Sequence, residues 1–185
     1  MSEVKQLFLP LSDNDIASYH AGDVVEISGI IYTARDAAHK RLVELLENNK
    51  SVPIDLKGCG IYYVGPSPRR EGEVIGSAGP TSSYRMDPYT LPLLKEGLKI
   101  MIGKGPRADY IKDYLKEYKA IYLSAIGGAA ASIAGSIKEC ELVCYEDLGA
   151  EAIYMLRVEK MFAIVTYDIY GNDLFKEGIL KYHRD

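Results

Sequence analysis

The sequence predicts a mixed α/β fold, on two observations. Runs rich in β-branched residues, VVEISGIIYT among them, alternate along the chain with stretches whose leucines recur at helical spacing. Glycine and proline are spread through the length, with no internal repeat and no low-complexity tract, so the 185 residues read as one domain, 1–185. A sheet with both parallel and antiparallel neighbours and flanking helices is the expected architecture.

The elements follow in order. Strands are expected at Val4 to Leu9 and Val24 to Tyr32, the second bounded by Gly22-Asp23. Thr33 with Asp36 three residues later resembles a capping box, and RDAAHKRLVELLENN then places Leu42 and Leu46 on one helical face with Arg35 and His39. From Ile61 to Ile75 a hairpin or paired strands are expected around the turn-rich GPSPRREGE, and GSAGPTSSYRMDP is an irregular loop leading into a helix near Tyr89 to Glu96. A strand over Lys99 to Ile102 runs into Gly103-Lys104-Gly105, and Pro106 sits in the first turn of the helix ADYIKDYLKEY. The strand AIYLSAI, a turn at Gly127-Gly128 and a helix from Gly128 to about Lys138 come next. Strands over Ala152 to Val158 and Phe162 to Tyr167, then a turn at Tyr170 to Asp173, complete the reading.

Composition narrows the function. The chain is 48% hydrophobic and 26% charged, which is ordinary for a folded globular protein, and its net charge of −4 opposes a role in binding nucleic acid or an anionic membrane. Ala120 to Ile137 lacks charge and is about as long as a minimal membrane span, but its Ala, Gly and Ser content fits a strand, a turn and a closely packed helix better. The opening MSEVKQ has no basic-then-apolar leader, and three cysteines make no disulfide framework, so a cytoplasmic protein is expected. Cys140 and Cys144 lie one helical turn apart and Cys59 stands alone, a spacing that matches neither a zinc site nor a redox CxxC pair; no metal site is expected on this chain.

Three cations occupy positions suited to an anion. Arg35 opens a helix just after a strand, where free amide hydrogens already favour negative charge. Arg85 follows the hydroxyl-rich Pro80-Thr81-Ser82-Ser83-Tyr84, a loop able to give charge-assisted and neutral bonds to one ligand. Lys104 sits between two glycines, where backbone and point charge both approach a ligand closely. Each has an ordinary alternative: Arg35 paired with Asp36 or Glu44, Arg85 paired with Asp87, Lys104 a solvated turn lysine. His39 shares a face with Arg35 and either orients Arg35 or a ligand, or makes a structural hydrogen bond. No dinucleotide fingerprint, phosphate-binding loop or serine elbow is present in the sequence.

Taken together, AGDVVEISGIIYTARDAAHKRL, AGPTSSYRMDPYTLPLL, MIGKG, AIYLSAIGGAAA and EAIYMLRVEKMFAIVTYDIYGNDLF resemble, in order and over nearly the whole chain, the β subunit of class I iron-sulfur-dependent fumarate hydratase and L-tartrate dehydratase. The resemblance implies a swivelling β/β/α domain and a partner α subunit whose three cysteines hold a 4Fe-4S cluster, this chain binding none. It implies Thr81 as a catalytic residue and Arg35, Arg85 and Lys104 as binders of a small dicarboxylate; Asp36 and His39 are candidates beside them, either touching the substrate or bracing Arg35. An assembly of two α and two β chains, hydrating fumarate reversibly to (S)-malate, is the expectation. The alternatives are tartrate dehydration to oxaloacetate and a non-catalytic dicarboxylate-binding module. Ser82 and Tyr84 depart from the family's usual threonine and glycine.

Overall fold

Along the central strands, neighbouring residues bury into two different cores, and this decides the architecture. In the computed structural model, which describes residues 3–125 and 130–183, seven strands form one sheet: β1 (Lys5–Phe8), β2 (Val24–Thr33), β3 (Gly60–Tyr62), β4 (Ile100–Gly103), β5 (Ile121–Ser124), β6 (Ile137–Cys144) and β7 (Ile153–Tyr167). Their order is β1-β2-β3-β4-β5-β7-β6, and an added β2–β7 pairing closes β2, β3, β4, β5 and β7 into a ring. The pairs β1–β2, β2–β3, β3–β4 and β4–β5 are parallel, whereas β7 runs antiparallel to β2, β5 and β6. The mixed sheet expected from the sequence is therefore present.

Alternation fills both faces. Ile27, Ile31, Tyr62, Ile100, Ile102, Ile121, Leu123 and Val165 belong to the cluster within the ring. The residues between them, Ile61, Met101 and Tyr122, join a second cluster with Ala38 and Leu42 of α2 (Asp36–Glu47), Leu93 and Leu94 of α3 (Asp87–Lys95), and Ile111 and Leu115 of α4 (Tyr110–Tyr118). Strands buried on both faces read as continuous apolar runs, which is how they were legible in sequence. The described residues include no helix long and apolar enough to cross a membrane.

Several expectations are corrected. A short helix, α1 (Asp13–Ile16), carries the true capping box: Asp15 accepts from the Ser12 amide at 2.8 Å, and the Ser12 hydroxyl accepts from the Asp15 amide. Thr33 caps nothing, because its hydroxyl lies buried at the end of β2, donating to the Ala152 carbonyl at 3.2 Å and accepting from the Tyr154 amide at 2.9 Å. The hairpin over 61–75 does not form. Both edges of β3 are already taken by β2 and β4, and Pro66 and Pro68 have no amide hydrogen for another ladder. Pro106 lies outside α4, since the backbone at 107–108 is drawn aside: Arg107 donates to the Tyr167 hydroxyl and Ala108 to the Asp87 carboxylate. Helix α5 spans Ala130–Ser136 and stops at β6, which the sequence reading missed, so Cys140 and Cys144 lie on a strand, not on successive helical turns. The turn expected at Gly127-Gly128 falls outside the described residues. The two last strands are one, β7, kinked by a bulge where Lys160 takes a positive φ of 52° opposite Ser28. A further helix, α6 (Leu174–Tyr182), follows the turn at 170–173 and is capped by Asp173.

Candidate functional site

Four parallel strands, β2 to β5, deliver their carboxyl ends to one rim, the edge at which open α/β sheets ordinarily bind ligands. Arg35 stands two residues beyond β2 and Lys104 one residue beyond β4. Thr81 to Ser83 lies beside the end of β4, where β3 has already stopped. The Thr81 amide donates to the Tyr63 carbonyl at 2.7 Å, the Lys104 amide donates to the Thr81 carbonyl at 3.3 Å, and the Ser83 amide donates to the Lys104 carbonyl at 3.0 Å. Thr81 and Lys104 are thus backbone neighbours, although more than twenty residues separate them in the sequence.

Arg35 occupies the N-cap position of α2 without capping it through its side chain. Its guanidinium meets the Glu151 carboxylate at 3.1 Å, and the other Glu151 oxygen accepts from the Ala37 amide at 3.3 Å, so a residue from the turn before β7 serves both the cation and the helix start. Gly65 makes room for it: a Cβ there would lie 3.1 Å from the Arg35 Cδ and Nη1 atoms. Arg85, on a 3-10 turn at Ser83–Met86, pairs with Asp36 at the first position of α2. The ordinary pairings proposed from sequence are therefore replaced: Arg35 takes Glu151 in place of Asp36 or Glu44, and Arg85 takes Asp36 in place of Asp87. Lys104 is exposed, as is Tyr84 beside Arg85.

His39 lies one turn below Arg35 and is fully buried. Its Nδ1 is 2.9 Å from the Arg35 carbonyl, and a carbonyl only accepts, so Nδ1 carries the proton. Tyr63 meets the ring edge-on at 5.3 Å, and Nε2 is buried with no protein partner. Burial, reinforced by the nearby Arg107 charge, pushes its pKa down to about 4 against the opposing effects of the Arg35 carbonyl and Asp36, so it is uncharged at neutral pH. The Arg35 Nε and one Asp36 oxygen are likewise buried without a protein partner, leaving hydrogen-bonding capacity at the start of α2 unused by this chain.

Sequence reasoning missed the layer beneath the rim. Arg107 is buried, ion-paired to Asp87, and donates to the Thr90 hydroxyl at 2.7 Å, with its guanidinium over the rings of Tyr63 and Tyr122 at 5.5 and 5.3 Å. Only the proximity of KGPR to a candidate turn hinted at it. A concavity of about 480 Å³ between the 66–76 loop and the β6–β7 edge, lined by Pro66, Arg69, Ile75, Cys140 and Tyr154, includes none of Arg35, Thr81, Arg85 and Lys104. The described residues hold no group of three or more His, Cys, Asp or Glu placed to bind a metal ion. Burial pushes the Cys59 thiol up to about 12 and raises those of Cys140 and Cys144, the opposite of what ligating thiolates require.

Fold and rim together define an α/β chain that gathers three cations and a threonine at the carboxyl ends of the parallel strands of a mixed sheet. Residues 2–178 match the model of the Fumarase C-terminus family, and the chain belongs to that family. It is 40% identical over 164 residues to the aerobic class I fumarate hydratase of Escherichia coli K12, covering 88% of this chain and 30% of that enzyme. It is 39% identical over 173 residues to a putative class I fumarate hydratase of Geobacillus stearothermophilus, covering 91% and 33%. A putative L(+)-tartrate dehydratase subunit beta of Methanocaldococcus jannaschii is 35% identical over 176 residues, covering 92% of this chain and 90% of that subunit. The chain spans about a third of the fumarate hydratases it matches and nearly all of the tartrate dehydratase subunit.

Proposed function

We propose that this chain is the β-type part of a cytoplasmic iron-sulfur hydro-lyase, which hydrates fumarate reversibly to (S)-malate at a site shared with an α subunit in an assembly of two α and two β chains. The observation that carries the reading is the family match over residues 2–178, joined to the placing of Arg35, Thr81, Arg85 and Lys104 on one rim. In this reading the 4Fe-4S cluster belongs to the α subunit's three cysteines. Cys59, Cys140 and Cys144 do not fit as its cradle, and everything assigned to this chain is done by its own side chains.

The guanidinium groups of Arg35 and Arg85 each present a planar fork matched to a carboxylate, and Glu151 and Asp36 hold them in place without using all five N–H donors. Lys104 adds a point charge at the same edge. When a proton leaves the carbon beside the substrate carboxylate, negative charge grows on that carboxylate, and cations already fixed there stabilise it. A threonine hydroxyl is too weakly acidic to act as a base unaided, so Thr81 positions the substrate or relays the proton, assisted by a group of the α subunit. The exposure of Arg85 and Lys104 suits a site that a second chain covers.

The test is anaerobic co-expression with the α chain, followed by fumarate-hydration assays on the pair and on each chain alone. Turnover by the pair only is expected, with Arg85→Ala lowering kcat/KM by about 100-fold or more, as loss of a charge-assisted anchor at a reacting anion does. Robust turnover by this chain alone would refute the reading. A second reading, tartrate dehydration, is favoured by the 90% coverage of the tartrate dehydratase subunit, and the same assay with tartrate decides it.

A further inference from the structure

The rim residues come from segments with little reason of their own to stay in register. Thr81 and Arg85 ride on the loop and 3-10 turn before α3, and Lys104 rides on the turn after β4. Backbone bonds at 3.0 and 3.3 Å join the two, and the longer is weak. Beneath them lies a second connection. The hydroxyl of Tyr122, from β5, is 2.8 Å from the Ser83 hydroxyl and 2.8 Å from the Gly105 carbonyl.

Tyrosine has one hydroxyl hydrogen and a carbonyl has none, so the direction of each bond is fixed. Tyr122 donates to Gly105, and Ser83 donates to Tyr122. The resulting Ser83–Tyr122–Gly105 chain flanks Lys104 on one side and the Thr81–Arg85 segment on the other. It is closely fitted: Ser83 is buried, and a Cβ on Gly103 would lie 1.9 Å from its hydroxyl oxygen, so only glycine lets Ser83 seat against β4. The Tyr122 ring is fixed by the Arg107 guanidinium at 5.3 Å and by the edge of Tyr167 at 5.4 Å. Burial keeps the phenol protonated, its pKa pushed up to about 12.

We infer that Ser83 and Tyr122 are positioning residues of the reaction, a two-hydroxyl clasp that sets Thr81 and Arg85 at a working distance from Lys104. The inference rests on the hydro-lyase reading. Neither hydroxyl touches substrate; both act through the segments they join, and a displacement of about 1 Å there is enough to cost activity heavily.

The test uses the reconstituted α–β enzyme with Tyr122→Phe, Ser83→Ala and the double substitution. Each single variant is expected to lower kcat about tenfold or more with KM changed less than about threefold, and the double variant to lose no more than the worse single, because the hydroxyls form one unit. In the chain alone, amide hydrogen exchange at Ser83 and Lys104 is expected to quicken in Tyr122→Phe while Ile31 and Ile102 keep their protection. An assembled variant with wild-type kcat overturns the clasp, as do additive losses or unchanged exchange at Ser83 and Lys104. A loss explained wholly by weaker α–β assembly overturns it too. If the wild-type pair turns over neither fumarate nor tartrate, the hydro-lyase reading fails, and the clasp falls with it; an active wild type with indifferent variants fails the clasp alone.

Discussion

His39 is walled off from water one turn into the helix that Arg35 opens, and that makes it a reporter of pH. Its folded pKa, about 4, lies below the ordinary value of 6.5, so the unfolded chain takes up a proton first as pH falls. The stability it contributes is complete above about pH 6.5 and is lost on the way down to 4, on the order of 3 kcal/mol over the window. His39→Gln, which can keep a donor toward the Arg35 carbonyl, is expected to flatten that slope; urea midpoints from pH 7 to 4.5 measure it, and equal slopes in both proteins would sink the idea. Arg107 poses a sharper risk. Arg107→Met strands the buried Asp87 carboxylate, which keeps the Ala108 amide at 2.8 Å but loses its cation, and a loss of about 3–5 kcal/mol is expected, partly recovered by adding Asp87→Asn. Denaturant melts of the two variants check this. Among the candidate residues, Arg35 was marked in sequence by its place just past a strand at a helix start, Lys104 by its glycine-flanked turn and Arg85 by the hydroxyl-rich loop before it, whereas Thr81 was marked only by the family resemblance. Arg107, Asp87 and Glu151 were not legible, since their partners are remote in sequence and no local spacing marks them.

At the scale of elements, the starts of helices show how much is decided from afar. α2 has no side-chain cap of its own, and Glu151 supplies the missing acceptor from the turn before β7. Glu151→Ala should cost about 1 kcal/mol, the ordinary value of a lost cap, and a thermal melt of the variant measures it. Retained stability would mean that water replaces Glu151 without penalty. The central strands and α2, α3 and α4 were readable because burial on two faces, or on one helical stripe, writes itself as apolar periodicity. β6 was not, since an edge strand carrying Lys138, Glu139 and Glu141 on a largely exposed face has little period to read. The proposed hairpin failed for a related reason: turn-rich sequence announces a reversal of the chain but not whether an open sheet edge awaits the return.

For the molecule as a whole, ring closure through β2 and β7 ties early and late chain into one unit. One cooperative transition is expected in calorimetry, with the calorimetric and van't Hoff enthalpies equal; two separable transitions would show that 1–185 is not one domain. The closing contact also sets a timetable for biosynthesis. Val24 pairs with Ile164 and Tyr32 with Met155, so β2 leaves the ribosome long before the strand that covers its edge exists. Until then β2 can find β1 and β3 but not β7, and a hydrophobic strand with an open edge is prone to pair with the wrong neighbour. One edge of β2 therefore stays uncovered while the chain from α2 to β6 is made, even though β2 to β5, whose ends carry the cation rim, can already pair with one another.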